Sequence, residues 1–185
     1  MIEYEKLYNI VQNTLSEKRF NHCKAVVKRA IEYAEIYGED KEIVKLVAIS
    51  HDIAKELNLE EEEHYISYYH IPLDDIEKAN HQLLHAKIGA YLCKDKYDFT
   101  EDMVNAIMYH TTGRKNMSLL EKIIYLADAT EENRKHGSTF VDVVKKDIDK
   151  GMVELTKREI CKLLEKGKQV HVHTIECYND YLNKN

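Results

Sequence analysis

The chain has 185 residues, of which 44% are hydrophobic and 32% charged, and its formal net charge is −6. This length and composition fit one globular domain over residues 1–185 and exclude a disordered chain, while the negative charge argues against a sequence-independent grip on nucleic acid. No apolar run approaches the ~20 residues that span a bilayer, and the acidic residues 1–5 do not resemble a signal peptide. We therefore expect a cytoplasmic protein without a membrane partner.

Apolar residues at helical spacing begin near the first residue and continue to the end of the chain. A first helix is predicted from residues that share one face, namely Tyr4, Leu7, Ile10, Val11 and Leu15. Ser16 predicts the N-cap of a second helix that stops at Gly38, and Asp40 predicts the N-cap of a third that ends near His51 and Asp52. Nothing in this part of the sequence indicates a strand.

The rest of the chain continues the helical pattern. A helix that begins at residues 60–64 is closed by Pro72, and a polar connection through Asp74, Asp75 and Asn80 follows. Further helices are predicted around residues 85–92, 100–110, 118–128, 141–147, 152–167 and 175–182. The segment at residues 118–128 opens with the S-x-x-E pattern of a capping box, formed by Ser118 and Glu121. With no repeat or domain boundary, the pattern predicts an all-α orthogonal helical bundle.

The His51-Asp52 pair is the first candidate for chemistry, because it ends an apolar run. A buried imidazole beside a carboxylate is costly unless a positive group pairs with them, and a divalent metal would satisfy both. The other candidates lie at or near the ends of predicted helices: His22, His85, His110 and Asp128. His64, His70, His81 and His136 sit in polar surroundings and are expected at the surface.

Taken as a set, the candidate ligands His22, His51, Asp52 and Asp128 supply two nitrogens and up to four carboxylate oxygens. This mixture favours a six-coordinate ion such as iron, manganese, cobalt or magnesium. His85 and His110 either bind a second ion that shares Asp52 or donate hydrogen bonds to a substrate phosphate. A lone histidine at a helix end is usually structural, but the full set predicts a metal site with one or two ions.

Five segments of the chain carry a family resemblance: KRFNH (residues 18–22), HDIAK (51–55), HAKIGAYL (85–92), YHTTGR (109–114) and MSLLEKIIYLAD (117–128), the last leading to ENR at 132–134. They resemble the HD-domain superfamily of metal-dependent phosphohydrolases, and more narrowly the YqeK-type family of symmetrical bis(5′-nucleosyl)-tetraphosphatases. The resemblance extends from about residue 16 to 135. It departs at Leu84, where the family often has an aromatic residue, and it is loose around His171 and His173, whose role stays open.

The resemblance implies hydrolysis of diadenosine tetraphosphate to two molecules of ADP, with iron as the usual metal and a single HD-type domain. The implied metal ligands are His22, His51, Asp52 and Asp128. The expected contacts to a dinucleoside polyphosphate or ADP are Arg19, Lys55, His85, His110 and Arg134. His85 opens the small-residue helix and is therefore preferred over His81.

From the residues themselves, a metal would lower the pKa of a bound water toward ~7, so that it can attack a phosphorus of the bridge. Lys55 lies about one helical turn after Asp52 and can face the same pocket if the helix continues. Arg134 offers a planar fork that matches phosphate oxygens. His85 or His110 could protonate the leaving nucleotide. These three groups, Lys55, His85 and His110, are the candidate catalytic residues.

Three alternatives remain open at this point. One is a purely structural helical bundle whose histidines are incidental. Another HD phosphohydrolase, such as a nucleoside monophosphate 5′-nucleotidase, would use the same metal to release inorganic phosphate. A non-catalytic module would bind metal or nucleotide through the same pocket. The nucleoside preference and the oligomeric state, a homodimer included, also stay open.

Overall fold

A computed structural model describes residues 1–134 and 138–184 of the chain, and every regular element in that part is helical, as predicted. The α-helices are α1 (Tyr4–Thr14), α2 (Glu17–Tyr37), α3 (Lys41–Ser50), α4 (Leu59–Tyr68), α5 (Asp75–Ala79), α6 (Leu84–Tyr97), α7 (Glu101–Met108), α8 (Leu119–Thr130), α9 (Ser138–Lys146), α10 (Ile148–Glu165) and α11 (Val172–Leu182). A 3-10 helix, His81–Leu83, precedes α6. Within these residues no helix is long and apolar enough to cross a membrane.

The predicted helix caps are confirmed. The Ser16 hydroxyl accepts a hydrogen bond from the Arg19 backbone N–H at the start of α2, and Asp40 accepts one from the Glu42 N–H, 2.8 Å away, at the start of α3. Gly38 ends α2 in the left-handed conformation with φ of 79°, which favours glycine because it has no Cβ. The predicted capping box closes the first turn of α8. Local sequence therefore sets where these helices begin and end.

The polar connection after Pro72 was predicted to lack regular structure, and this was wrong, because it contains α5 and the 3-10 helix. Asp74 and Glu77 form a reciprocal capping box in which each carboxylate accepts the other residue's backbone N–H at 2.9 Å. A helix of five residues is too short to show an apolar repeat. Its D-x-x-E pattern was the signal that could have revealed it.

Four helices form the centre of the bundle. Helix α2 packs against α3 and α8, while α7 packs against α3, α6 and α8. Fully buried side chains such as Ile49, Ile107 and Ile123 fill the space between them, and each contributes about 1.5–3 kcal/mol by leaving water. Helix α10 packs on the outside of α8, beside α9 and α11. These central helices, the turns that follow α3 and α7, and the neighbouring α6 carry the histidines and aspartates singled out above.

Candidate metal centre

The structure brings six predicted side chains to one place: His22 from α2, His51 and Asp52 from the turn after α3, His85 from α6, His110 from the turn after α7, and Asp128 from α8. We call this group the His-Asp cluster. Helix α3 ends at Ser50 rather than continuing, but the Lys55 N–H bonds to the Asp52 carbonyl at 2.9 Å. This turn keeps both side chains on the side that faces the cluster.

Asp52 lies at the centre of the cluster, between two pairs of imidazoles. Its Oδ2 is 3.7 Å from His22 Nε2 and 3.5 Å from His51 Nε2. Its Oδ1 is 3.1 Å from His85 Nε2 and 3.6 Å from His110 Nε2. One carboxylate therefore faces all four Nε2 atoms, two on each oxygen.

Asp128 supplies the second carboxylate, next to the first pair of imidazoles. Its Oδ1 lies 3.0 Å from His22 Nε2 and 4.0 Å from His51 Nε2. The Asp128 side chain is 19% exposed, whereas that of Asp52 is 5% exposed. The cluster is therefore open to solvent on the Asp128 side.

The hydrogen bonds of three histidines determine which ring nitrogen carries the proton. Nδ1 of His51, His85 and His110 lies 2.6–2.8 Å from the carbonyl oxygen three residues earlier in each case. A carbonyl only accepts, so each Nδ1 is the protonated donor and each Nε2 has a free lone pair. Metal-bound histidines use this arrangement, in which a second partner fixes the tautomer.

The lone pairs on Nε2 of His51, His85 and His110 face the carboxylate oxygens of Asp52, which are also acceptors. Those of His85 and His110 also face each other. His85 Nε2 and His110 Nε2 are 3.3 Å apart. His22 Nε2 and His51 Nε2 are buried without a hydrogen-bond partner among the described residues. Asp128 Oδ1 lies 3.0 Å from His22 Nε2, but these two atoms do not have the geometry of a hydrogen bond. Acceptors that face acceptors repel unless a cation lies between them. The cluster fits a divalent metal for this reason.

The donor atoms form two overlapping groups whose members all lie within 4.8 Å of one another. One contains His22, His51 and Asp128, and the other contains His51, Asp52 and His110. The predicted ligand set is thus divided between the two groups, which share His51.

Burial keeps the central imidazoles neutral. It lowers the pKa of His51 to about 4 and that of His85 to about 4, in spite of the nearby Asp52. Burial alone would raise the pKa of Asp52, but the His51 imidazole and the contacts of His110 and His85 hold it well below its usual value. At neutral pH His51 and His85 therefore present neutral nitrogens beside the charged Asp52 carboxylate, the forms that bind metal.

The structure places the predicted phosphate-binding cations directly against this cluster. Arg19 Nη1 donates to Asp52 Oδ2 at 2.9 Å. Arg134 Nε donates to the Asp128 carbonyl at 2.9 Å, and its Nη2 contacts the Asp128 carboxylate. Lys55 Nζ lies 3.3 Å from His85 Nε2, the ring nitrogen with the lone pair, and burial lowers the pKa of this lysine. Each cation thus touches a member of the cluster.

Within the part of the chain that the structure describes, three clefts border the cluster. The α2 cleft has a volume of about 720 Å³ and is lined by Arg19, His22 and Arg134 among others. The α10 cleft, of about 410 Å³, lies beside His110, Asp128 and Arg134. The α4 cleft, of about 580 Å³, is lined by Lys55 and His85. The first two clefts share Arg134, so they meet at the open side of the cluster.

Other histidines lie elsewhere. His64, His70 and His81 are exposed, and His136 lies outside the described residues. His171 caps α11: its Nδ1 accepts from the His173 N–H, so its Nε2 holds the proton and donates to Asp74 at 2.8 Å. This tautomer removes Nε2 as a ligand, although Asp74, Glu77 and His171 lie close enough together to suggest one. His171 instead ties α11 to α5.

Sequence reasoning missed Glu131, which is 2% exposed and lies behind the cluster. Its Oε1 is 3.3 Å from His22 Nδ1, so it holds that ring through the nitrogen opposite the cluster. Glu131 follows Asp128 by three residues, about one helical turn, and the D-x-x-E spacing was the available signal. A carboxylate in this position orients a metal-binding imidazole and raises its basicity.

Replacing Glu131 with Gln is expected to weaken metal affinity about 10- to 100-fold, because the amide cannot supply the charge that supports His22. Competition with a chelator measures this affinity. The matched control is Glu132→Gln, the adjacent exposed carboxylate that pairs with Lys28, and it should leave the affinity unchanged. Equal affinities for the two variants would remove Glu131 from this role.

Comparison with known proteins supports what the fold and the cluster indicate. A family model described as HD domain matches residues 19–133, a range that contains all six members of the His-Asp cluster. The fold and the site therefore define this chain as an HD-domain protein.

Three similar proteins extend the match over the whole chain. The chain is 37% identical over 182 residues to a symmetrical bis(5′-nucleosyl)-tetraphosphatase from Halalkalibacterium halodurans, with 96% of each chain covered. It is 36% identical to the protein of the same name from Bacillus subtilis, with 95% of each covered. A crystal structure from Clostridium acetobutylicum, described as a predicted HD superfamily hydrolase involved in NAD metabolism, has a TM-score of 0.94, 36% identity and full coverage of both chains. The chain belongs to the HD-domain family of symmetrical bis(5′-nucleosyl)-tetraphosphatases.

Proposed function

We propose that this protein is a metal-dependent hydrolase that cleaves diadenosine tetraphosphate symmetrically into two molecules of ADP. The observation that carries the proposal is the convergence of four Nε2 atoms on Asp52, with Asp128 beside them. Full-length similarity to two proteins named for this activity supports the substrate.

The proposed metal ligands are His22, His51, Asp52 and Asp128, with iron as the metal and manganese, cobalt or magnesium as alternatives. Nitrogen donors mixed with carboxylate oxygens suit these ions. Asp52, His85 and His110 would hold a second ion, because the Nε2 atoms of the two histidines face each other at 3.3 Å with their lone pairs free. Asp52 would then be shared by both ions.

A bound divalent metal would supply charge neutralisation for the phosphates and an activated water for attack on phosphorus. Arg19 and Arg134 reach from the clefts to the two carboxylates, and both present N–H groups to a phosphate that enters beside them. Two guanidinium groups in this position bind phosphate oxygens and stabilise the charge that develops on them.

Among the three candidate catalytic residues, Lys55 fits the role of proton donor best. His85 has a pKa of about 4 and its Nε2 holds a lone pair, so this nitrogen has no proton to give at neutral pH. His110 holds its proton on Nδ1, 2.6 Å from the Ile107 carbonyl. Lys55 lines the α4 cleft next to His85 and carries protons on Nζ. It can protonate the ADP oxygen that leaves.

Symmetrical cleavage requires room for equal groups on both sides of the scissile bond. His22 lines the α2 cleft, Asp128 lines the α10 cleft, and Arg134 lines both. A substrate with its central phosphates at the cluster can therefore place one nucleotide in each of the two clefts. A terminal phosphate ester would need only one of these clefts.

Product analysis in ¹⁸O-water tests the proposal. Protein loaded with iron or manganese is incubated with diadenosine tetraphosphate, and the nucleotides are separated by ion exchange. We expect ADP as the sole product, with one labelled oxygen in half of the ADP, because water adds to one phosphorus and the bridging oxygen leaves with the other. AMP with ATP would contradict symmetrical cleavage. If diadenosine tetraphosphate is not cleaved but a nucleoside monophosphate releases inorganic phosphate, the result would favour a 5′-nucleotidase.

A further inference from the structure

The wall of the α10 cleft is formed by a helix that lies outside the HD-domain match. Leu155, Arg158, Glu159 and Lys162 are spaced by three and four residues, so they lie on one face of α10, and this face lines the cleft opposite Asp128 and Arg134. The sequence gives no motif at these positions. Their role is visible only because α10 packs against α8, the helix that carries Asp128.

Arg158 differs from the other arginines of the chain in its partners. Each of the others pairs with a carboxylate, in the pairs Arg19–Asp52, Arg29–Glu32, Arg114–Glu121 and Arg134–Asp128. Arg158 has no ion pair within residues 1–134 and 138–184, and its guanidinium instead lies 5.2 Å from the centre of the Phe140 ring. Its charge is therefore available to a ligand in the cleft.

The acidic residue on this face does not cancel that charge. Glu159 lies in the same cleft, but both of its carboxylate oxygens accept hydrogen bonds from Lys162 Nζ, at 3.2 and 2.9 Å. The α10 face thus presents one neutralised pair and one unpaired guanidinium. A planar guanidinium that is half-buried and free of carboxylates is well suited to phosphate, which it can bind through two parallel N–H groups.

Part of the remaining wall of the cleft is apolar and is formed by Tyr125, Ala129 and Leu155. Tyr125 and Leu155 are 4% and 1% exposed, so they line the cleft at its base. The volume of about 410 Å³ falls in the range of small-molecule sites, ~300–1,000 Å³, in which apolar walls surround a few polar groups. An anionic ligand with an apolar part fits this combination.

We propose that the α10 cleft binds one nucleoside diphosphate half of the dinucleoside tetraphosphate, and that Arg158 donates hydrogen bonds to its phosphates. Lys162 stays paired with Glu159, so the unpaired charge of this face is that of Arg158. This inference rests on the proposed function for the identity of the substrate. It adds a substrate-binding residue from a part of the chain beyond residue 133, where the HD-domain match ends.

Binding of ADP and of adenosine, measured by calorimetry on the metal-loaded protein, tests this site. Arg158→Gln is expected to raise the Kd for ADP about tenfold or more, since hydrogen bonds to charged groups are strong, and to leave the Kd for adenosine unchanged. The matched control is Lys157→Gln, the adjacent exposed cation on another face of α10, which should bind ADP like the wild type. Arg158→Lys should recover part of the affinity.

Two results would overturn the site: equal ADP affinity in wild type and Arg158→Gln, or an equal loss for adenosine and ADP, which would indicate a damaged cleft rather than a lost phosphate contact. Steady-state kinetics add an independent readout. A raised KM with an unchanged kcat is expected, because Arg158 contacts bound substrate and product alike.

The test separates this inference from the proposed function. If the wild type cleaves diadenosine tetraphosphate and Arg158→Gln has no effect on ADP, the site is refuted and the function stands. If the wild type does not cleave this substrate but Arg158→Gln still weakens ADP binding, the function is refuted and the nucleotide site stands.

Discussion

Asp52→Asn is expected to remove bound metal and to lower the rate of diadenosine tetraphosphate cleavage roughly a thousandfold, because a metal ion supplies several kcal/mol of transition-state stabilisation. The substitution keeps the shape of the side chain but removes its negative charge. Both oxygens of Asp52 face imidazole nitrogens, so removing the charge of this carboxylate affects all four histidines of the cluster. Metal content is measured by elemental mass spectrometry, and turnover by ADP release.

Asp102→Asn is the matched control, since Asp102 is exposed in the first turn of α7 and away from the cluster. It should retain both metal and activity. Circular dichroism should show the same helical content in both variants, because Asp52 is not part of a helix. An Asp52→Asn protein with full metal content would exclude Asp52 as a ligand.

Acid is expected to destabilise the metal-free protein strongly, by on the order of 6 kcal/mol in the free energy of unfolding between pH 6.5 and pH 4. In the unfolded chain an imidazole binds a proton below pH ~6.5, whereas His51 and His85 in the folded chain stay neutral down to about pH 4. The unfolded state therefore binds more protons across this window, and falling pH favours it. Each of the two residues accounts for about 3 kcal/mol.

Urea denaturation of chelator-treated protein at several pH values measures how the free energy of unfolding changes with pH. Asp52 and Asp128, whose folded pKa values lie below the ordinary range, add a further loss only as the pH falls below ~4. His85→Gln should flatten the dependence above pH 4 by about half, while the exposed His64→Gln should keep the wild-type slope. A free energy of unfolding that does not change between pH 6.5 and 4 would show that these imidazoles are not buried as neutral groups.

Much of the fold was predictable because its signals are local. Ser16, Asp40 and Ser118 begin helices by accepting backbone N–H groups within three residues, and Gly38 ends one by its left-handed conformation. The helix after Pro72 was missed because the expected signal, an apolar repeat, needs more residues than α5 has. The family also followed from short motifs, and the HD-domain match confirms it.

By itself, the sequence determined the types of residue at the centre, an ordered set of histidines and aspartates, and the helices on which most of them lie. Only the tertiary structure decided that Asp52 lies between two pairs of imidazoles, that Glu131 stands behind His22, and that Arg158 faces the cluster across a cleft. The reason is distance along the chain. Arg158 is 30 residues from Asp128 and carries no motif, so it meets the site only because α10 packs on α8. A capping signal acts within one turn, but a binding site is assembled by packing between helices that are remote in sequence.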